Sequence, residues 1–222
     1  MDIVFNFLLS QSILIPLVIM LFRIKKIPAD WMPFLVLLVL GLLTEIASFI
    51  VIHYFKAGNA PVIKIYSLAE CCLIYYLFYL WKNEKEARTV FLVLTGLSVL
   101  AWIIEDIVFG GINTFSPFFR VGYAFVIVLL SINQINGMMV KQDGSLIKNP
   151  RFILCIGFII SFIYQIVYEA SFYIGSDTSV LANKIIIGYG YINFGVNLLN
   201  AYAVSRIHNR HQATYGPVNQ IN

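Results

Sequence analysis

Residues 31–54 read WMPFLVLLVLGLLTEIASFIVIHY, with one charged side chain, Glu45, in the whole stretch. A helix needs about 20 consecutive apolar residues to cross the ~30 Å hydrocarbon core of a bilayer, and this stretch is long enough. It lies between RIKKIPAD at 23–30 and KAGNAP at 56–61, both polar and turn-forming. Working outward, the pattern recurs along the chain. Apolar runs at 4–22, 31–54, 62–81, 89–109, 117–140, 152–174 and 180–204 alternate with short polar breaks. The expected fold class is all-α: a polytopic membrane protein whose seven-transmembrane-helix bundle occupies residues 1–205, followed by a short, frayed tail at 206–222. Asp30, Ser116 (just ahead of Pro117) and Ser179 are expected helix starts, since each side-chain oxygen can accept from a free backbone amide.

Composition supports this class. Of the 222 residues 60% are hydrophobic and 12% charged, with a mean hydropathy of +0.84. A soluble domain carries about a quarter charged residues. Half that share leaves too little polar surface to face water, which excludes a disordered chain and a nucleic-acid binder. Cys71, Cys72 and Cys155 all lie in apolar runs, where Cys acts as a small hydrophobe, so neither a disulfide framework nor a metal site is expected.

Orientation follows from the basic residues. The segments 23–30, 82–88, 141–151 and 206–222 hold 11 of the 15 Lys and Arg. The opposite side keeps Lys56, Lys64, Arg120 and Lys184. Positive charge is retained on the cytoplasmic side, so the N-terminus is expected outside and the C-terminus in the cytoplasm. Run 4–22 has its basic cluster after it, not before, and reads as a retained helix instead of a cleaved signal. Pro16 is expected to kink that helix. Tyr75, Tyr76, Tyr79 and Trp81 read as an interfacial aromatic belt.

Charges inside hydrocarbon cost several kcal/mol, so they face a bundle interior or a wet cavity. Glu45, Glu70, Glu105, Asp106 and Glu169 fall within the spans, with Arg120, Lys64 and Lys184 near the outer ends. By helix rise Glu45 lies ~14–15 Å deep, Glu70 ~12 Å, Glu169 ~8 Å, and Glu105, Arg120 and Lys184 ~5–6 Å, so all eight groups fall in the outer half. Polar stripes at helical spacing mark inward faces. Examples are Ser161-Gln165-Glu169, Gly41-Glu45-Ser48, and the asparagines Asn183, Asn193, Asn197 and Asn200 of the last helix. Asn133, Asn136 and Gly137 read the same way on the fifth. The expected ligand site is a polar pocket in the extracytoplasmic half, formed by Glu45, Glu70, Glu105, Asp106, Arg120, Glu169 and Lys184. A purely structural charge network is the competing reading. Five acids against three bases leave carboxylates that need water, a proton or a ligand, so a basic ligand or a proton is expected over an anion.

The phrases Ile65-Tyr-Ser-Leu-Ala-Glu70 and Leu146-Ile-Lys-Asn-Pro-Arg-Phe152 resemble those of bacterial seven-span integral membrane proteins, including membrane regions attached to sensor kinases. The resemblance implies a bacterial inner-membrane location and a sensory role, and it carries no catalytic residues. Three functions follow as expectations. The first is a receptor-like sensor that binds a small molecule or proton and signals through a protein partner. The second is a small-solute or proton-coupled transporter, and the third a structural or assembly subunit. No HExxH, GxSxG or P-loop signature is present, so neither enzymatic activity nor a cofactor is expected. The expected partners are the lipid bilayer, a small ligand and a signalling protein, with no nucleic acid.

Overall fold

The computed structural model describes residues 9, 11–82, 85–112, 117–141, 145–173 and 180–207. Seven α-helices run through these residues: α1 (Leu14–Phe22), α2 (Met32–His53), α3 (Ala60–Lys82), α4 (Lys85–Ile103), α5 (Phe118–Lys141), α6 (Pro150–Tyr173) and α7 (Val180–Ser205). No strand occurs among the described residues. The five helices α2 to α6 are long and apolar enough to cross a membrane. At 22–24 residues, α2, α3, α5 and α6 extend ~33–36 Å by helix rise. The architecture is that of a multi-pass membrane protein.

Lipid is the solvent that these surfaces suit. On α4 the side chains of Leu92, Val93, Leu97 and Leu100 are all more than half exposed, as are Ile107 and Val108 in the turn after it. A continuous apolar face of that size is a liability in water and the normal exterior of a bundle in hydrocarbon. Inside, Phe34, Ile74, Tyr75, Phe78, Ile127, Leu154 and Phe158 form one core.

The helices pack largely in chain order, and α7 returns against α1, which also packs on α2. Helix α3 touches α2, α4 and α5, and α5 touches α3, α4 and α6. Two arginines fasten one end of the bundle. Arg23 donates to the carbonyls of Val204 (2.9 Å), Ser205 (2.5 Å) and Ile207 (2.8 Å), satisfying the last turn of α7 from a residue just after α1. Arg151 pairs with Asp30 at 2.6 Å and lies over the Trp81 ring, 5.5 Å from its centroid.

Several local expectations change. Asp30 makes no helix cap, because Arg151 holds its carboxylate and α2 starts without a side-chain cap. Ser116, Ser179 and the tail beyond 207 lie outside the described residues, as does most of 4–10. Pro16 stands where the chain enters α1, and most of the expected helix before it lies outside the described residues. The chain passes from a 3-10 turn (Gln11–Ile13) into α1, so Pro16 occupies the first α-helical turn, where its missing N–H is not needed. Of the aromatic belt only Tyr76 is exposed, while Tyr75 and Trp81 are core residues. Trp81 packs on Trp31, with ring centroids 5.3 Å apart. Asn133, Asn136 and Gly137 face outward, because α5 buries the face carrying Tyr123, Ile127 and Ser131 instead.

Candidate functional site

The end of the bundle opposite Arg23 and Arg151 collects the charges within the spans, and each is held differently. Helix α4 ends in a π-helical turn, Ile104–Phe109, a widened form that recurs at functional positions. This turn sends two consecutive acids to different neighbours. Asp106 is buried and pairs with Lys64 of α3 at 2.7 Å. Lys64 also donates to the Gly111 carbonyl at 2.9 Å. Its own carbonyl accepts from Ser67 Oγ (2.8 Å) and Trp102 Nε1 (3.1 Å). Glu105 instead accepts the backbone N–H groups of Phe118, at 2.8 Å, and Phe119. It thereby places a negative charge at the N-terminus of α5, where free amides and the helix dipole favour an anion.

Arg120 belongs to α5 and Glu169 to α6, and Nη1 stands 2.6 Å from Oε1. Glu169 is wholly buried, and no hydrogen-bond donor among the described residues reaches its Oε2. Lys184 is exposed and joins no described ion pair.

Glu70, one helical turn beyond Tyr66 on α3, has both oxygens engaged. Tyr66 donates to Oε1 at 3.0 Å and Tyr123 of α5 donates to Oε2 at 2.6 Å. Gln165 of α6 in turn donates from Nε2 to the Tyr123 hydroxyl at 3.0 Å. The result is a directed chain, Gln165 to Tyr123 to Glu70, with Tyr66 closing the other side. Linked bonds of this kind polarise one another in a low-dielectric interior. Gly41 of α2 packs closely on Ile13: a Cβ there would stand 2.6 Å from Ile13 Cδ1, and in ordinary contact, at 3.5 Å, with the Tyr66 hydroxyl.

Beside this chain lies a cavity of about 130 Å3 at the centre of the bundle. Its acidic wall is Glu45 and Glu70, and its aromatic wall Tyr66, Tyr123 and Tyr189. Arg120 enters from α5, while Ser161, Gln165 and Asn193 complete the polar lining. A second cavity of about 90 Å3 shares Ile13, Tyr66, Glu70, Ser161 and Asn193 with the first. It continues along α7 past Asn197 and Asn200 between the apolar side chains of Phe34, Leu38, Ile74 and Phe158. Asn197 Nδ2 donates to Ser12 Oγ at 2.8 Å, whereas Asn200 Oδ1 is buried with no hydrogen-bond partner.

Of the seven residues read from the sequence as one pocket, the structure brings Glu45, Glu70 and Arg120 to the cavity. Glu169 stands behind it, as the partner of Arg120. Glu105, Asp106 and Lys184 are not among the described lining residues: the first two anchor α5 and α3, and the third is on the surface. Sequence reasoning missed the tyrosines. Tyr66 stands four residues before Glu70, a spacing that places two side chains on one helix face and could have revealed it. The asparagine seam of α7 does turn inward at Asn197 and Asn200, while the side chain of Asn183 lies outside the described set. Among the described residues no group of three His, Cys, Asp or Glu could hold a metal ion. No protein-family model matches the chain, and neither does any curated protein or solved structure.

Proposed function

We propose that the chain is a receptor-like sensor of a bacterial inner membrane that takes up a small cation or a proton at Glu70 and signals through a protein partner. In this reading all seven helices span, the N-terminus is outside and the C-terminus cytoplasmic. The 11-to-4 distribution of basic residues supports that orientation. The observation that carries the binding reading is the Glu70 carboxylate on the wall of the central cavity, oriented by Tyr66 and Tyr123. Among the described residues the charged groups around it are Glu45, Arg120 and, behind Arg120, Glu169: three carboxylates with Glu70 included, against one guanidinium. An anion would meet that field unfavourably. A small ammonium ion would gain charge attraction from Glu70 and cation–π contact with the tyrosine rings.

A transporter is the second reading, favoured by the second cavity, which extends the polar lining along Asn193, Asn197 and Asn200. Two measurements on reconstituted protein separate the outcomes. The first is the thermal-unfolding midpoint with methylammonium or acetate added, for the native chain and Glu70→Gln. Stabilisation by methylammonium alone, lost in Glu70→Gln, supports cation binding, and equal stabilisation of both proteins removes it. The second is uptake of labelled methylammonium into sealed vesicles, where accumulation selects the transporter over the sensor.

A further inference from the structure

The cation site at Glu70 adjoins the second cavity, and the two have opposite character. Glu70, Tyr66, Ser161 and Asn193 form a shared waist. On one side the cavity is acidic and aromatic; on the other its walls are Phe34, Leu37, Leu38, Ile74, Phe158 and Phe162. At the far end the buried Asn200 Oδ1 has no partner. A buried polar atom without a partner costs ~1–3 kcal/mol, so something that hydrogen-bonds belongs beside it. Along α7 the distance from Asn193 to Asn200 is ~10 Å by helix rise.

We propose that the ligand is a linear amino alcohol: a primary ammonium at Glu70, a methylene chain through the waist between Leu38, Ile74 and Phe158, and a terminal hydroxyl at Asn200. The proposal rests on the cation reading of Glu70 and adds the shape and the far end of the ligand. Each part answers one feature of the site. The ammonium meets a carboxylate and tyrosine faces, and the methylenes displace water from an apolar wall. The hydroxyl both donates and accepts, so it satisfies the Asn200 carboxamide whichever of its two ends points into the cavity. A second ammonium at that end would find no carboxylate besides Glu70, at the waist, among the described lining residues, which disfavours a diamine. A carboxylate at the near end would stand against Glu45 and Glu70.

The test is the affinity of the full chain in nanodiscs for methylammonium, butylamine, hexylamine and aminohexanol, measured by calorimetric titration, with Asn200→Leu as the variant. Affinity is expected to rise up to about fourfold per added methylene from methylammonium to hexylamine. Aminohexanol is expected to bind the native chain at least as tightly as hexylamine. In Asn200→Leu that order inverts, with hexylamine the tighter ligand, and its binding shows that the variant is folded. Equal affinity for methylammonium, butylamine and hexylamine means the chain does not enter the second cavity, which overturns the proposal and leaves the cation site at Glu70 standing. An unchanged preference in Asn200→Leu overturns the placement of the hydroxyl. No binding of any amine overturns both this proposal and the cation reading.

Discussion

Arg120 Nη1 lies 2.6 Å from Glu169 Oε1, with the carboxylate wholly buried, so the adjoining helices α5 and α6 are joined by one ion pair at the edge of the central cavity. Removing one member of such a pair leaves a charge without compensation, which costs ~3–5 kcal/mol. Arg120→Met is therefore expected to lower the unfolding midpoint strongly. Arg120→Met combined with Glu169→Gln should recover most of that loss, because no buried charge then remains. Thermal unfolding of the two single variants and the double variant in one detergent checks this as a double-mutant cycle.

Gly188 on α7 faces the Tyr164 hydroxyl so closely that a Cβ cannot be added without moving it. That hydroxyl donates to the Ile185 carbonyl at 2.8 Å. Gly188→Ala is expected to destabilise by ~1–3 kcal/mol through overpacking. Tyr164→Phe, which removes the clashing oxygen, should relieve most of that cost in the double variant. The measurement is the set of unfolding midpoints, and simple additivity of the two substitutions would contradict the close approach.

Glu105 is expected to matter for stability and not for binding. Glu105→Ala removes the anion that accepts the Phe118 and Phe119 amides, at a cost of ~0.5–2 kcal/mol, the usual range for a lost helix cap. Because Glu105 is not among the described lining residues, methylammonium affinity should stay at the native value. Titrating that variant beside Glu70→Gln checks both halves of the statement.

Arg23 bonds to three carbonyls at the end of α7. Arg23→Ala should leave the last turn of α7 open to solvent exchange while the Lys64–Asp106 end is unaffected. Hydrogen exchange at residues 203–207 against residues 62–68 reads this directly.

The helices α2 to α6 were legible because hydrocarbon imposes a simple length rule, which runs such as 31–54 meet with a single charge. The site was legible only in part. Glu105 and Asp106 look alike in sequence, yet in the π-helical turn one accepts from the start of α5 and the other pairs with Lys64 of α3. Hydropathy carries no information about such a turn. The polarity of Asn133 and Asn136 points inward by the bundle-face rule, but α5 buries its Tyr123 and Ile127 side. Tyrosine was undervalued for a similar reason. In a membrane chain it signals an interface, and only the packing of α3, α5 and α6 reveals that Tyr66 and Tyr123 aim hydroxyls at Glu70.

The central claim is that Glu70 exchanges a proton or a cation with the cavity. Infrared difference spectroscopy in the carboxylate stretching region tests it most directly, on the full chain in lipid, with methylammonium added at constant pH. Cation binding should perturb the Glu70 carboxylate, so a carboxylate band is predicted to shift in the native chain, to shift by a different amount in Tyr123→Phe, which removes one hydrogen bond to Glu70, and to be absent from Glu70→Gln. The same band change in Glu70→Gln as in the native chain, or no change on adding methylammonium to the native chain, would contradict the account.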